Sequence, residues 1–341
     1  MPSSSDAAPT VAEAAACVRL LRALHAGPRT TVDLVAATGL ASAQLGAALD
    51  LARAAGLVSR HADRIASVVP FDGITEAEVA GVLPDAARGA FDLDVVDATG
   101  STNADLLANA TRLPFGHVLA AEWQVAGRGR RGRAWAARPG ASIAFSVLWK
   151  FPGGATGLSG LSLAVGVAVA NALEACGAPA LKLKWPNDIL ADTSVGLAKL
   201  GGILIEIAPA GSGPMPVVIG IGINVAPLGA EVGQHVTSLT GLGVARPRHA
   251  ILASLLGELA PLLRGFEATG FAAWREQWNR RHAYAGREVM TTGETDAPLK
   301  GIAAGADDDG ALLLEGARGT QRVVGGEVSL RPAGDAGTSA T

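Results

Sequence analysis

Apolar residues at Val11, Cys17, Val18, Leu21 and Leu24 recur at roughly helical spacing and stop at Ala26-Gly27-Pro28, so the pattern predicts a helix over residues 11–27. A second short helix follows Thr30 or Thr31, either of which can cap it, and "ATGL" at 37–40 reads as a glycine turn. Leu45, Leu49 and Leu51 then define a third helix over 42–55, ending before Gly56. Three helices with a short turn between the second and third describe a helix-turn-helix. "LVSRHADRIASVV" alternates loosely around a polar turn, which suits the two-stranded wing of a winged helix. From about 74 to 285 strands and helices are mixed, with glycine-rich corners, and this segment is expected to be the main domain. After Gly286, short strands separated by turn signals at Gly293, Asp309-Gly310 and Gly316 predict a small β-barrel. The expected division is a winged helix at 11–72, a central domain at 74–285 and an all-β appendage at 286–332. The Ser-, Ala- and Pro-rich residues 1–10 and the tail 333–341 are expected to be disordered.

Composition changes the picture in three places. With 341 residues and 49% hydrophobic content, the chain can bury a large core and divides naturally into two or three domains. Its net charge of -3 advertises no polyanionic partner, so any anion site must be local. The N-terminus has neither a basic nor an apolar signal region, and the longest apolar run, "LSLAVGVAVANAL", falls short of the roughly 20 residues of a membrane span. The expectation is a cytoplasmic protein that does not engage a membrane. Cys17 and Cys176 lack metal-ligand or redox spacing and read as reduced, partly buried thiols.

The densest local charge is "AGRGRRGRAW" at 126–135. Alternating Gly and Arg suits neither helix nor strand, because each glycine costs about 1 kcal/mol of helix propensity and like charges repel. A loop results, whose backbone N–H groups and forked Arg128, Arg130, Arg131 and Arg133 side chains suit phosphate or carboxylate. Alone it reads equally as a solvated or RNA-binding basic loop, and it is expected to order on a charged ligand. "LKLKWPND" alternates Leu181, Leu183 and Trp185 against Lys182 and Lys184, as a strand with one buried face does, before Pro186 stops it. Asn187 and Asp188 follow in the turn, where a carboxylate beside two lysines can hold Mg²⁺ or orient a substrate. "KLGGILIE" brings Lys199 into a strand before two glycines, and "VVIGIGINV" puts Gly220, Gly222 and Asn224 on one face. A strand face without side chains leaves room for a ligand. Each of these segments taken singly reads as a plain core strand.

Together, "STN" at 101–103, "AEWQVAGRGRRGRAW" at 121–135, "KWPND" at 184–188, "KLGGILIE" at 199–206, "GIGIN" at 220–224 and the C-terminal "DDDGALLLEG…VVGGEVSLRP" resemble the biotin protein ligases, in this order and from about residue 18 to 332. The resemblance implies an α+β protein: an N-terminal winged helix-turn-helix, a central mixed α/β catalytic domain of the biotin/lipoate ligase type, and a C-terminal small SH3-like β-barrel. It implies ATP and biotin as substrates with Mg²⁺, formation of biotinyl-5'-AMP, and transfer of biotin to a lysine of a biotin carboxyl carrier protein domain of acetyl-CoA or related carboxylases. A homodimer is compatible with it. By the family's pattern Arg128 and Arg130 act in catalysis with Lys199 and Asp188, Lys199 neutralising the biotin carboxylate or the adjoining phosphate, and Asp188 either binding Mg²⁺ or positioning the accepting amine. Ser101, Thr102, Asn103, Gln124, Gly127, Gly129, Gly202, Gly220 and Gly222 join Arg128, Arg130 and Lys199 as the biotin site. Arg130, Arg131, Arg133, Lys184, Trp185, Asn187, Asn224 and His235 form the nucleotide site. A carboxylate attacking a triphosphate meets charge repulsion that Arg and Mg²⁺ relieve most in the transition state, so this set suits the chemistry.

The chain departs from repressor-type ligases in its third helix, "ASAQLGAALDLAR", where Gln44 stands nearly alone as a base reader. Over residues 1–70, six arginines face five carboxylates, a net of +1 that offers few phosphate contacts. The wing lacks the Gly-Lys-Gly-Tyr run of the repressors. The expectation is a structural or regulatory winged helix without specific DNA binding. The insert "TSVGLA" at 193–198 looks like a lengthened hairpin, and His235 stands where repressor-type ligases stack adenine on a tryptophan. Two alternatives accompany the reading: a bifunctional ligase and repressor, and a lipoate ligase, against which the complete arginine-glycine loop argues.

Overall fold

The computed structural model describes residues 8–332 except 70, 136–137, 153, 210–212, 228–234, 293–298 and 325–328. Chain order begins with α1 (Val11–Leu24), β1 (Arg29–Thr30), α2 (Thr31–Thr38), α3 (Ser42–Ala54), β2 (Val58–His61) and β3 (Arg64–Ser67). Local chemistry sets these boundaries. Thr10 and Glu13 form a reciprocal capping box at the start of α1, and Thr30 and Asp33 repeat it at α2. Gly39 ends α2 with φ 66°, a left-handed value suited to glycine. The three helices enclose Cys17, Leu20, Leu34, Leu45 and Leu49, and the sheet β1-β3-β2 completes a winged helix. The terminal segments 1–7 and 333–341, and the turn signal at Gly293, lie outside the described residues.

The central unit follows with α4 (Glu76–Val82), β4 (Asp92–Thr99), α5 (Thr102–Asn109), β5 (His117–Gln124), β6 (Ser142–Phe151), α6 (Leu161–Ala175), β7 (Lys182–Lys184), β8 (Asp188–Thr193), β9 (Gly196–Ile207), β10 (Met215–Asn224), α7 (Arg248–Thr269) and α8 (Ala272–Arg281). Its seven strands run in the order β4-β5-β6-β10-β9-β8-β7, antiparallel except for the parallel pair β4–β5. Strict alternation on β10 divides the two faces. Ile219, Ile221 and Ile223 join Phe145, Val147 and the residues of α6 and α7 in the main core. The long apolar run is thus α6, a buried core helix, and no single helix among the described residues is long and apolar enough to cross a membrane. On the opposite face α5 packs Leu106 against Leu119, Leu148 and Val218. The hairpin of β8 and β9 pairs Thr193 with Gly196 across a two-residue turn, so the 193–198 insert lengthens the paired strands of the hairpin and not its turn.

A second sheet, β14-β13-β12-β11-β15, is assembled from β11 (Glu288–Thr292), β12 (Lys300–Ala306), β13 (Leu312–Gly316), β14 (Gly319–Val323) and β15 (Ser329–Pro332), all antiparallel neighbours. It docks on the central unit through the Asp309-Gly310 turn, where the Gly310 carbonyl accepts from the Trp185 indole. Both cysteines are free and buried, and burial pushes the Cys17 thiol up to about 12.

Candidate active site

The side-chain-poor row of the central sheet runs across four strands. Gly202 on β9 pairs with Gly222 on β10, which pairs with Ala144 on β6, which pairs with Ala121 on β5. Paired residues share a face, so these positions together form a floor without bulk. Asp188 on β8 stands at one end, opposite Gly202. Its carboxylate lies 2.6 Å from the Lys199 ammonium and 3.7 Å from that of Lys184, and all three side chains are mostly buried. A Cβ at Gly202 would lie 3.5 Å from Lys199 Nζ, an ordinary van der Waals distance, so the end of the lysine lies directly beside this glycine.

The other end is polar. Asn103, on the first turn of α5, donates to the Leu204 carbonyl at 3.2 Å and to Glu206 at 2.9 Å, and accepts from Ser146. Thr102 shares its hydroxyl with Ser146, and both its N–H and its hydroxyl donate to Gln124 Oε1. Ser101, Thr102 and Asn103 are all buried. Gln124 thereby fixes the start of α5 from the end of β5.

Above the floor, the arginine-glycine segment folds back on itself. Gly129 N–H donates to the Arg133 carbonyl at 2.7 Å, and Trp135 N–H donates to the Gly127 carbonyl at 2.8 Å. Arg131 and Gly132 take left-handed φ values of 58° and 67° at the tip. Gly127 is buried, and a Cβ there would meet the Trp135 carbonyl at 3.0 Å. Arg128 approaches Glu206 at 3.6 Å, while Arg131 and Arg133 are exposed and Arg130 is half-buried.

Two expectations change with this geometry. The space over Gly220 and Gly222 is not open: a Cβ at Gly220 would collide with the Asn103 amide at 2.2 Å, and one at Gly222 with the Trp135 indole at 2.6 Å. The glycines instead let a polar and an aromatic side chain press onto the sheet. Trp185, expected at the nucleotide, belongs to the core. It is 1% exposed, and its indole donates to the Gly310 carbonyl at 3.0 Å, because the even spacing that faces Leu181 and Leu183 inward takes Trp185 with them. Asn187 clamps the Ile203 backbone from both sides, with its side-chain amide at 2.8 Å and its carbonyl at 3.0 Å. His235 is exposed, and its carbonyl accepts the Lys199 N–H at 2.9 Å. Asn224 is buried and donates to the Thr237 carbonyl at 3.1 Å, while its Oδ1 has no partner.

The sequence leaves Asp188 with two roles, binding Mg²⁺ or positioning an amine. Its carboxylate is shared between the Lys184 and Lys199 ammonium groups. Among the described residues no group of three or more His, Cys, Asp or Glu side chains can hold a metal ion. The donor set does not fit a protein-held Mg²⁺, in keeping with an ion held chiefly by substrate phosphates and water.

Sequence reasoning passes over Trp135, Ser146 and Glu206 as contributors. Glu206 is readable, since it continues the period of two from Gly202. Ser146 is not, because only strand register brings it under α5.

Comparison with known proteins fits this geometry. Residues 95–224 match the Biotin/lipoate A/B protein ligase family, and residues 284–331 match the Biotin protein ligase C terminal domain. Over 323 residues the chain is 34% identical to the bifunctional ligase/repressor BirA of Salmonella typhimurium, covering 90% of this chain and 98% of that protein. The chain belongs to the biotin protein ligase family. It is also 40% identical over 272 residues to the biotin–[acetyl-CoA-carboxylase] ligase of Mycobacterium tuberculosis, covering 77% of this chain and 94% of the relative. Among solved structures it is similar to the Aquifex aeolicus biotin protein ligase in complex with biotin and ATP, with a TM-score of 0.62, 28% identity, and coverage of 71% of this chain and 99% of that one. Membership covers the winged helix as well as the catalytic unit, since the Salmonella relative matches along nearly its whole length.

Proposed function

We propose that this enzyme joins biotin to AMP at the floor bounded by Asp188, Lys199, Asn103 and the arginine-glycine loop, and then passes biotin to a lysine of a carboxylase carrier domain. In the first step a biotin carboxylate oxygen attacks the α-phosphorus of ATP and pyrophosphate departs. In the second the lysine amine attacks the carbonyl carbon of the mixed anhydride, AMP departs, and the amine loses a proton. The observation that carries the reading is the small-residue row Gly202-Gly222-Ala144-Ala121 with Lys199 at one end and forked arginines above. Trp135 lies over Gly222, so a fused ring would seat beside the indole and not on bare backbone, and cations on two sides offset the charge that accumulates as carboxylate meets phosphate.

In this reading Lys199 faces the carboxylate or the α-phosphate, and Arg128 and Arg130 hold the anion from the loop. Asn103, Thr102 and Gln124 supply polar groups to the ureido ring. Asp188, held between Lys184 and Lys199, orients the incoming amine. Biotin is favoured over lipoate by the match to the Biotin protein ligase C terminal domain and by the 40% identity to a biotin–[acetyl-CoA-carboxylase] ligase. The test supplies ATP and Mg²⁺ with biotin or lipoate and measures pyrophosphate release, then transfer to an isolated carrier domain. Biotin-dependent release with no response to lipoate is expected, and the reverse preference would refute the reading.

Operator binding is left out of the proposal because α3 presents little to read a base. Its exposed residues include Ser42, Ala43, Gln44, Ala47, Asp50 and Arg53, and Gln44 Oε1 is engaged by the Ala41 N–H at 3.1 Å.

A further inference from the structure

Glu122 is the most deeply buried carboxylate described in the chain, with a fully enclosed side chain, and it lies on β5 directly after the floor residue Ala121. Two arginines from different domains hold it. Arg22, on α1 of the winged helix, donates to Oε1 at 3.1 Å, and Arg248, at the start of α7, donates to Oε2 at 2.7 Å. The Ile74 N–H shares Oε1, and the Ile74 carbonyl accepts from Arg22 at 3.0 Å. Phe71, in the segment joining the domains, packs its ring against both guanidinium groups, at 5.8 and 5.6 Å. Arg248 also donates to the Ser142 carbonyl at 3.1 Å, on the residue of β6 paired with Asn224. This one cluster therefore braces both flanks of the site: β5, which continues to Gln124 and the loop, and β6, which pairs with the strand carrying Asn224.

We infer that Arg22 is a positioning residue for biotin binding, acting from the winged-helix domain through the buried Glu122 carboxylate; the inference rests on the biotin reading of the site. Without Arg22, Glu122 keeps Arg248 as its charge partner, but Oε1 retains only the Ile74 N–H, the Ile74 carbonyl loses its donor and Asp97 on β4 loses a partner at 3.1 Å. A buried cluster left with unpaired polar groups relaxes by moving its strand or drawing in water. The first residues to feel that movement are Gln124, which fixes the start of α5, and Gly127, which seats Trp135. The winged helix is then part of the catalytic unit's architecture irrespective of any role with nucleic acid.

The test compares the full-length chain with Arg22→Met, Glu122→Gln, Arg22→Met/Glu122→Gln and Arg19→Met. Calorimetry reads biotin affinity, and hydrogen exchange reads residues 117–135 with no ligand present. Arg22→Met should weaken biotin binding about tenfold, within the roughly 5- to 150-fold range of typical coupling between sites, and should speed exchange from Gln124 to Trp135. The double variant should be no more impaired than Glu122→Gln alone, since Arg22 then has no carboxylate left to act through. Arg19→Met removes only an exposed pair with Asp97 at 3.4 Å and should change neither. Wild-type affinity and exchange in Arg22→Met, or a double variant whose losses are the sum of those of the two single ones, would overturn the inference. So would loss of the winged-helix fold in both variants that carry Arg22→Met, because Arg22 would then serve only its own domain. A wild-type chain that binds no biotin would instead refute the proposed function, and the exchange comparison would still decide whether Arg22 orders the loop.

Discussion

His282 makes the junction between the catalytic sheet and the C-terminal domain sensitive to acid. It follows α8, is 5% exposed, and stacks on Trp278 with ring centroids 4.7 Å apart. Neither ring nitrogen has a hydrogen-bond partner, and burial lowers its pKa to about 4. The folded chain therefore holds the neutral imidazole, whereas the unfolded chain titrates near the ordinary value of about 6.5. A group whose folded pKa is depressed contributes its full stability above the unfolded pKa, and that contribution drains away as the pH falls from about 6.5 towards 4. Integrating over that window, the difference between about pH 7.5 and about pH 5 is about 2 kcal/mol, and the loss approaches about 3 kcal/mol near pH 4. Acidic carboxylates titrate over part of the same range, so the substitution His282→Phe isolates the effect. Phenylalanine keeps the ring against Trp278, removes the titration and leaves no hydrogen bond broken. Urea unfolding of both proteins at several pH values between about 7.5 and 4.5 should show the His282→Phe variant at least as stable at neutral pH, with its advantage growing by about 2 kcal/mol on reaching pH 5. A stability difference that stays flat across that range would refute the claim that a buried neutral imidazole sets the acid limit of this junction.

Lys199→Ala should cut biotin-dependent pyrophosphate release by on the order of 100-fold or more, the scale of losing one charged donor at a reacting anion, while the circular dichroism spectrum is retained; unchanged release would remove Lys199 from the chemistry. Gly220→Ala should push the Asn103 amide off Ser146 and Glu206, because the new methyl would sit 2.2 Å from Oδ1, and should raise the KM for biotin more than it lowers kcat. Equal kinetics in that variant would show that Asn103 does not need its present position. Gel-shift titration with duplex DNA at physiological salt should reveal only weak binding without sequence preference, even with biotin and ATP present, and a defined footprint would restore the repressor reading.

Much of this fold is legible in the sequence because its signals are local. Thr10-Glu13 and Thr30-Asp33 mark their helices by reciprocal hydrogen bonds within a single turn, and β10 declares its two faces by strict Ile/Gly alternation. Lys199 and Asp188 are in contact beside Gly202, while Asn103 lies over Gly220, the next position after Gly222 on the same face of β10. What escapes is everything decided by register and by docking between distant segments. The period-two pattern of "LKLKW" puts Trp185 on the same buried face as Leu183 and so in the core; only the family resemblance places it at the nucleotide. Glycine on a strand says that something comes close, but it does not say whether that is a ligand or a side chain such as Asn103 or Trp135. The Arg22–Glu122–Arg248 cluster joins residues 100 and 126 positions apart, and no local rule couples them.

The hydrogen bond from the Trp185 indole to the Gly310 carbonyl has a consequence for the order in which the enzyme is made. The tryptophan supports the strand that leads to Asp188, and its partner is supplied by a turn more than a hundred residues later. A nascent chain that has delivered every residue of the floor and the loop still lacks the group that closes the underside of the lysine-bearing edge. Gly310 itself tolerates no side chain at this contact, since a Cβ would lie 2.6 Å from Gly160 at the head of α6. Synthesis thus proceeds through a long interval in which the parts of the site exist without this support, and the later-made sheet of β11–β15 acts as the catch that sets the earlier-made parts in working order.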